Sequence, residues 1–269
     1  MVDQYKCEFI YEEIVKAITA KRIDQEDITI KEVSAFDEFH VRGRQVSQEI
    51  FEDVPLREDS YVLDIGCGLG GTGRMLAHKL SANVKGIDIT PEYIRTASLL
   101  SELTGLQDKT DFIQADALNL PFVSDSFDLV ISQHTQMNIE DKEKLYSEIF
   151  RVLKPAGSFV YYDVFKSEGN ETYPLPWANE EKDSFLISCD EMSALLENTG
   201  FSEIAVREQS TKAIKFLSVF LEKAETNKSM LIGQKILMGS NTEHKLRNIF
   251  EGLKEFKLVL QSGVYKKIL

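Results

Sequence analysis

The chain has 269 residues, 43% of them apolar and 28% charged, with a formal net charge of −13. A chain of this length buries a full core and favours one elaborated domain over two equal ones, and none of its apolar runs approaches the roughly 18 residues that span a bilayer. The acidic balance repels nucleic-acid phosphates and anionic lipid surfaces, so neither is an expected partner, and small or cationic ones are.

Residues 1–55 are charged and mostly helical in pattern and are read as an N-terminal helical lid. Their opening MVDQYK has no basic and apolar signal regions, which gives a cytoplasmic address as the expectation. Residues 56–269 form the main domain. Short runs rich in Val, Ile, Phe and Tyr predict strands at Tyr61–Ile65, Val84–Ile87, Asp111–Ile113, Phe127–Ser132 and Ser158–Tyr162. Helices lie between them. One is capped by Thr90, starts at Pro91, buries Tyr93, Ile94, Ala97, Leu100 and Leu103, and stops at Gly105. Asp141 is the predicted cap of a second, running through Leu145, Tyr146, Ile149 and Leu153 to Pro155 and Gly157; Asp190 is that of a third, through Leu195 and Leu196 to Gly200. Strand-like Glu203–Glu208 and Lys257–Leu269 flank a helical insertion over 211–256 with two amphipathic helices, read as a cap. Strands separated by helices pair in parallel with right-handed crossovers. The expected fold is therefore α/β, a doubly wound, mostly parallel seven-stranded sheet with lid and insertion over its ligand-binding edge.

Cys7, Cys67 and Cys189 are odd in number and far apart, which argues against a disulfide framework and a zinc site. His40, His78, His134 and His244 are dispersed, so no metal site is expected.

The stretch VLDIGCGLGGTG, Val62 to Gly73, puts five of the 15 glycines into twelve positions behind an apolar run. A strand ending at Ile65, then glycines, then a helix from about Thr72 forms a turn able to cradle a phosphate or cofactor. Gly66, Gly68 and Gly71 satisfy GxGxxG, and Asp88, 22 residues after Gly66, is placed to accept hydrogen bonds from two ribose hydroxyls. A dinucleotide, another adenosine cofactor or a plain tight turn all fit at this point.

Three further features together resemble the class I S-adenosylmethionine-dependent methyltransferases. Asp64 sits two residues before the first glycine in LDIGCGLG, Asp116 closes the third strand in QADALNLPF, and FDLVISQ followed by RVLKPAGSFV looks like the family's fourth strand, helix and fifth strand. The likeness spans roughly Asp37 to Phe201. It implies a Rossmann-like methyltransferase fold with S-adenosyl-L-methionine as cofactor. The implied contacts are Asp64, Gly66, Cys67, Gly68 and Gly70 in the loop, Asp88 and Ile89 after the second strand, Asp116 and Ala117 after the third, Gln133 after the fourth, and Gly43 in the lid. Asp64 would meet the cationic methionine end and Asp116 the adenine amino group, with Cys67 a small filler without thiol chemistry. Each acid also has a local role open to it: Asp64 at strand-end amides, Asp88 capping the next helix, Asp116 in an Asx turn.

On the acceptor side, SQHTQMNI (Ser132 to Ile139) resembles small-molecule enzymes of the sarcosine and dimethylglycine N-methyltransferase type. Gln136 and Asn138 would face the acceptor. Asn138 stands where many relatives have a histidine; His134 either substitutes as the base or packs against the cofactor, and an amine's proton would go to His134, Tyr161 or water. In FDEFHVRGR, Gly43 would allow close approach to the cofactor and Arg44 could bind a carboxylate bidentately, or simply sit solvated at a helix start. ETYPLPWA carries the only tryptophan, Trp177, and aromatic faces at Tyr173, Trp177 and Phe185 suit an amine that becomes a quaternary cation, at about 0.5–2 kcal/mol per contact.

The expected function is methyl transfer to a small-molecule acceptor, an amine nitrogen first and oxygen or carbon on a quinone-like or natural-product ring second. An NAD-binding oxidoreductase would explain the glycines and Asp88 but leaves Asp64 and Asp116 without a role. A non-catalytic cofactor-sensing module is the third class, and homodimerisation stays open. Acidity and the lack of an NPPY-like tetrapeptide disfavour nucleic-acid methylation.

Overall fold

The structure, a computed structural model, describes residues 9–20, 28–52, 54, 56–227 and 231–268. Three helices come first: α1 (Ile10–Thr19), α2 (Ile30–Asp37) and α3 (Arg44–Phe51). The alternating part follows as β1 (Tyr61–Ile65), α4 (Gly71–Leu80), β2 (Asn83–Asp88), α5 (Pro91–Leu103), β3 (Thr110–Gln114), β4 (Phe127–Gln133), α6 (Lys142–Val152), β5 (Leu153–Lys166), α7 (Cys189–Thr199) and β6 (Phe201–Glu208). Three further helices, α8 (Ser210–Thr226), α9 (Ile232–Met238) and α10 (Thr242–Lys254), precede β7 (Leu258–Lys267).

The strands form one seven-stranded sheet in the order β3-β2-β1-β4-β5-β7-β6. Strands β1 to β5 pair in parallel, and β7 runs antiparallel between β5 and β6. Chain order reverses between β1 and β4, which opens a crevice beyond the carboxyl ends of the strands.

Side chains alternate across the sheet, so neighbours in sequence reach opposite cores. Val62, Leu129, Ile131, Val160 and Tyr162 pack with residues of α3, α4, α8 and α10. Leu63, Ile65, Val130, Phe159 and Tyr161 pack with α6 and α7. A third cluster joins Ile10, Ile14 and Phe36 to Leu69 of the glycine loop, Tyr93 and Leu100 of α5, and Leu237 of α9. Helices α1 and α2 therefore rest on α5 and α9 at the crevice rim.

Several boundaries differ from the sequence expectation for physical reasons. Asp141 does cap α6, accepting from Lys144 N–H at 2.9 Å. Helix α7, however, is capped by Ser188, which forms a capping box with Glu191 and leaves Asp190 inside the first turn. The box satisfies two orphan amides where Asp190 would satisfy one. Thr90 occupies the N-cap of α5 without a side-chain cap bond; its own N–H is taken by Asp88 Oδ1 at 2.9 Å. Helix α6 ends at Val152, and Pro155 and Gly157 lie in the expected break, an irregular stretch at the start of β5 where Ala156 has φ +62° and regular pairing with β4 and β7 resumes at Ser158. The insertion holds three helices, not two, among the described residues.

Candidate active site

The turn after β1 folds across the end of β2 because Gly66 N–H and Cys67 N–H both donate to the Ile87 carbonyl, at 2.8 and 2.9 Å. Gly66 has φ +69°, and a Cβ there would collide with the Thr135 side chain on the turn after β4. Gly70, at φ +78°, backs onto Phe112, whose Cζ would lie 2.5 Å from an added Cβ. Gly70 thus serves packing and does not line the crevice, contrary to its expected cofactor contact. Gly68 faces open space.

The crevice is a cavity of about 810 Å³ that crosses from the ends of β1, β2 and β3 to the exit of β4. Such a volume suits one cofactor-sized ligand with a small partner. On the β1–β3 side its wall includes Asp64, Cys67, Gly68, Asp88, Ile89, Asp116 and Ala117. Asp88 accepts from Gly68 N–H at 3.1 Å and Thr90 N–H at 2.9 Å. Asp116 accepts from Leu118 N–H at 2.9 Å, the Asx geometry. These local bonds leave lone pairs unused, since an ionised carboxylate accepts about four hydrogen bonds. The local role therefore leaves room for a ligand-binding one.

The charges on this side are crowded. Burial pushes the Asp64 carboxyl up to about 7, Asp88 and Glu38 add to the rise, and Arg74 opposes it. Asp88 is likewise raised by burial, against the pull of its backbone bonds. A cationic group delivered here would relieve that crowding. Burial first, then Asp64 and Asp88, raise the Cys67 thiol well above its ordinary value, so it is a neutral filler.

On the β4 side the wall includes Gln133, His134, Met137, Asn138 and Trp177. Gln133 accepts from Thr72 Oγ1 at 2.7 Å and donates to Ser47 Oγ at 3.3 Å, joining strand end, glycine-loop helix and α3. His134 adopts φ +50°, uncommon outside glycine, and is pinned by its N–H to the Tyr162 carbonyl at 2.8 Å. Its ring lies 5.0 Å from that of Tyr162 and 6.1 Å from that of His40. Burial, with His40 adding to it, holds His134 well below the ordinary histidine value, so it is neutral at neutral pH. Its Nε2 is buried without a hydrogen-bond partner. His40 is driven down to about 4 by burial. Its Nε2 lies 3.0 Å from the Gly43 carbonyl, which can only accept, so Nε2 carries the proton and Nδ1 the lone pair.

Asp163 of β5, fully buried, holds this side in place. Its Oδ2 accepts from Thr135 N–H at 3.2 Å and Gln136 N–H at 3.0 Å, and its Oδ1 from Val164 N–H at 2.9 Å. Nothing in the strand's sequence marks it. A second hidden device is Arg74, also fully buried, which donates to Asp37 Oδ2 at 2.7 Å, the Ala97 carbonyl at 2.9 Å and the Leu69 carbonyl. It ties α2, α5 and the glycine loop together. Asp37, Phe39 and His40 then reach the cavity wall from the N-terminal segment, and Leu237 from α9.

Besides Gly70, four expected site residues are not brought there. Tyr161 points to the other sheet face, its hydroxyl donating to Gln261 Oε1 at 2.5 Å; its strand neighbour Tyr162 is on the site's face. Gln136 is turned inward and accepts from Tyr146 Oη at 2.5 Å. Arg44 donates through Nε to Glu38 Oε1 at 2.5 Å and lies outside the wall. Gly43 is the N-cap of α3, at φ +50°, and also lies outside.

The family described as "Methyltransferase domain" matches residues 63–161, the span from β1 through β5. That match, with the strand order and the acids at the ends of β1, β2 and β3, is a likeness of the β1–β5 segment to the class I S-adenosylmethionine-dependent methyltransferases. Phosphoethanolamine N-methyltransferase 1 of Zea mays is 28% identical over 192 residues, 71% of this chain and 38% of that protein. Sterol 24-C-methyltransferase of Pneumocystis carinii is 35% identical over 164 residues, 58% of this chain and 44% of that protein. The chain thus spans about two-fifths of the length of these curated relatives. Among solved structures, a Galdieria sulphuraria protein assigned as a sarcosine dimethylglycine methyltransferase has the same fold, with TM-score 0.73 at 21% identity over 83% of this chain and 86% of that one. No helix among the described residues is long and apolar enough to cross a membrane.

Proposed function

We propose that the protein transfers a methyl group from S-adenosylmethionine to a small molecule, with an amine nitrogen as the acceptor atom. The observation that carries this reading is one cavity with three strand-end carboxylates on one side and a neutral, pinned turn on the other. Asp88 would hold the ribose hydroxyls, Asp116 the adenine amino group and Asp64 the ammonium of the methionine end. Bound there, the cofactor supplies a methyl group on a sulfonium: the acceptor's lone pair forms the new bond to that carbon as the carbon–sulfur bond breaks and its electron pair stays on sulfur.

The chain's own contribution is alignment and a water-poor setting. The turn pinned by Asp163 fixes the acceptor side relative to the glycine loop, and alignment of this kind lowers a barrier by roughly 7–11 kcal/mol. The N-terminal helices act as the lid, with Phe39 and Leu237 closing the roof against solvent. No protein nucleophile takes part. An amine must present its lone pair, and neutral His134 is the group assigned to take its proton. A His134→Ala variant whose rate is unchanged across pH would remove that assignment. The maize relative's name supports nitrogen as acceptor; the sterol relative's name supports carbon as the second reading. Calorimetric titration with S-adenosylmethionine and S-adenosylhomocysteine, on the wild type and Asp88→Ala, tests the whole reading. Micromolar binding that the variant loses supports it, and absence of binding by the folded wild type sinks it.

A further inference from the structure

We infer that the acceptor is a neutral or cationic molecule with an apolar body, and not a carboxylate or a phosphate. This rests on the methyltransferase reading and concerns the β4 side of the same cavity.

Charge carries the inference. Among the described residues the cavity wall holds Asp37, Asp64, Asp88, Asp116, Glu140 and Asp141, and neither lysine nor arginine. Three of these acids belong to the cofactor side, and Asp37 is paired with Arg74. Glu140 and Asp141 are exposed on the β4 side, where an acceptor must enter once the β1–β3 side is filled. Nearby cations are already committed. Lys142, almost fully buried, donates through Nζ to the carbonyls of Phe185, at 2.7 Å, and Ile139. Arg74 is held by Asp37 and by backbone carbonyls. Arg44, the residue expected to bind a carboxylate, is bound to Glu38 instead. Both histidines on the wall are neutral by burial.

An anionic acceptor would therefore shed its water, gain no countercharge, and face two carboxylates at the mouth. That combination is repulsive on both counts. Apart from the uncharged polar groups of Gln133, His134, Thr135 and Asn138, this side is apolar: Phe39, Met137, Ile139, Pro176, Trp177 and Leu237 line it. Trp177 Nε1–H is spent on Ser184 Oγ at 2.9 Å, which fixes the indole and leaves its ring carbons for the ligand. A protonated amine is drawn to the acidic mouth, passes its proton to neutral His134 inside, and buries its hydrocarbon body along this wall. The expected carboxylate contact with Arg44 is replaced by this opposite preference.

The test uses the full chain loaded with S-adenosylhomocysteine, loading being confirmed first by calorimetry. Failure to load counts against the methyltransferase reading and not against this inference. Two probes of matched shape, N-methylphenethylamine and 3-phenylpropanoate, are then titrated into the loaded protein, with phosphoethanolamine and sarcosine alongside. The amine is expected to bind at least about tenfold more tightly than the matched carboxylate, and the two small anion-bearing amines not to bind measurably. Equal or tighter binding of the carboxylate, or of phosphoethanolamine or sarcosine, overturns the inference, and so does failure of the apolar amine to bind.

Discussion

Along the β1–β3 side, the acids of the cavity wall sit at the ends of their own strands, and amides within a few residues or on the adjoining turn fix Asp88, through Gly68 and Thr90, and Asp116, through Leu118. Along the β4 side, the wall is held from a distance: Asp163 pins Thr135 and Gln136 from 28 and 27 residues away, and the roof comes from α9 and the N-terminal segment. The first side is charged and crowded, while the second is neutral within and acidic at its mouth. One side is assembled from local geometry and the other from partners distant in the chain. Mutations should therefore separate into those that move cofactor affinity and those that move turnover.

The largest separation is expected at Asp88. Losing two charge-assisted hydrogen bonds to a ribose costs about 3 kcal/mol, so Asp88→Ala should weaken S-adenosylhomocysteine binding on the order of 100-fold by calorimetry. Asp163→Ala should do the reverse. It leaves two turn amides unpaired, and methyl transfer should fall roughly 10- to 30-fold, with unfolding stability reduced by about 3 kcal/mol. Its S-adenosylhomocysteine affinity should stay within about threefold of wild type. A large loss of cofactor affinity in Asp163→Ala would break the two-sided account.

Asp64 supplies a pH test. Its folded-state pKa is raised to about 7, so the stability it lends the ligand-free protein is full below the ordinary carboxylate value and is lost as pH rises through about 7. The ammonium at the amino-acid end of the ligand selects the ionised form. Affinity for S-adenosylhomocysteine should therefore rise about fivefold from about pH 6 to 8, and Asp64→Asn should flatten that rise. The smallest effect is expected at the mouth, where Glu140→Lys should weaken binding of an apolar amine about threefold and improve that of its carboxylate analogue. Competition titration against the loaded protein reads both.

The same contrast governs what could be read from the sequence. The glycine loop, Asp88 and Asp116 needed only a strand end and the next few residues to be placed, and the alternation of strands and helices gave the sheet. Residues set by distant partners were not legible. Arg74 looks like a solvated helical arginine until Asp37, 37 residues earlier, folds against it. Asp163 looks like one more residue in a strand of tyrosines and valines. Tyr161 and Tyr162 differ by one position, and only the pairing of β5 with β4 and β7 decides which face each takes. Gln136 and Arg44 were assigned to the acceptor because of their chemistry, but Tyr146 and Glu38 claim them. Composition gave the overall acidity, while the acidic lining of the cavity emerged only once the chain was folded.

The most direct test of the division between the two sides is a crystal structure of the protein with bound S-adenosylhomocysteine. The ribose is expected on Asp88, the adenine on Asp116 and the amino group towards Asp64, with the space between His134, Asn138 and Trp177 left for the acceptor. A ligand whose adenosine lies against Trp177 and the β4 turn, or outside this cavity, would contradict it.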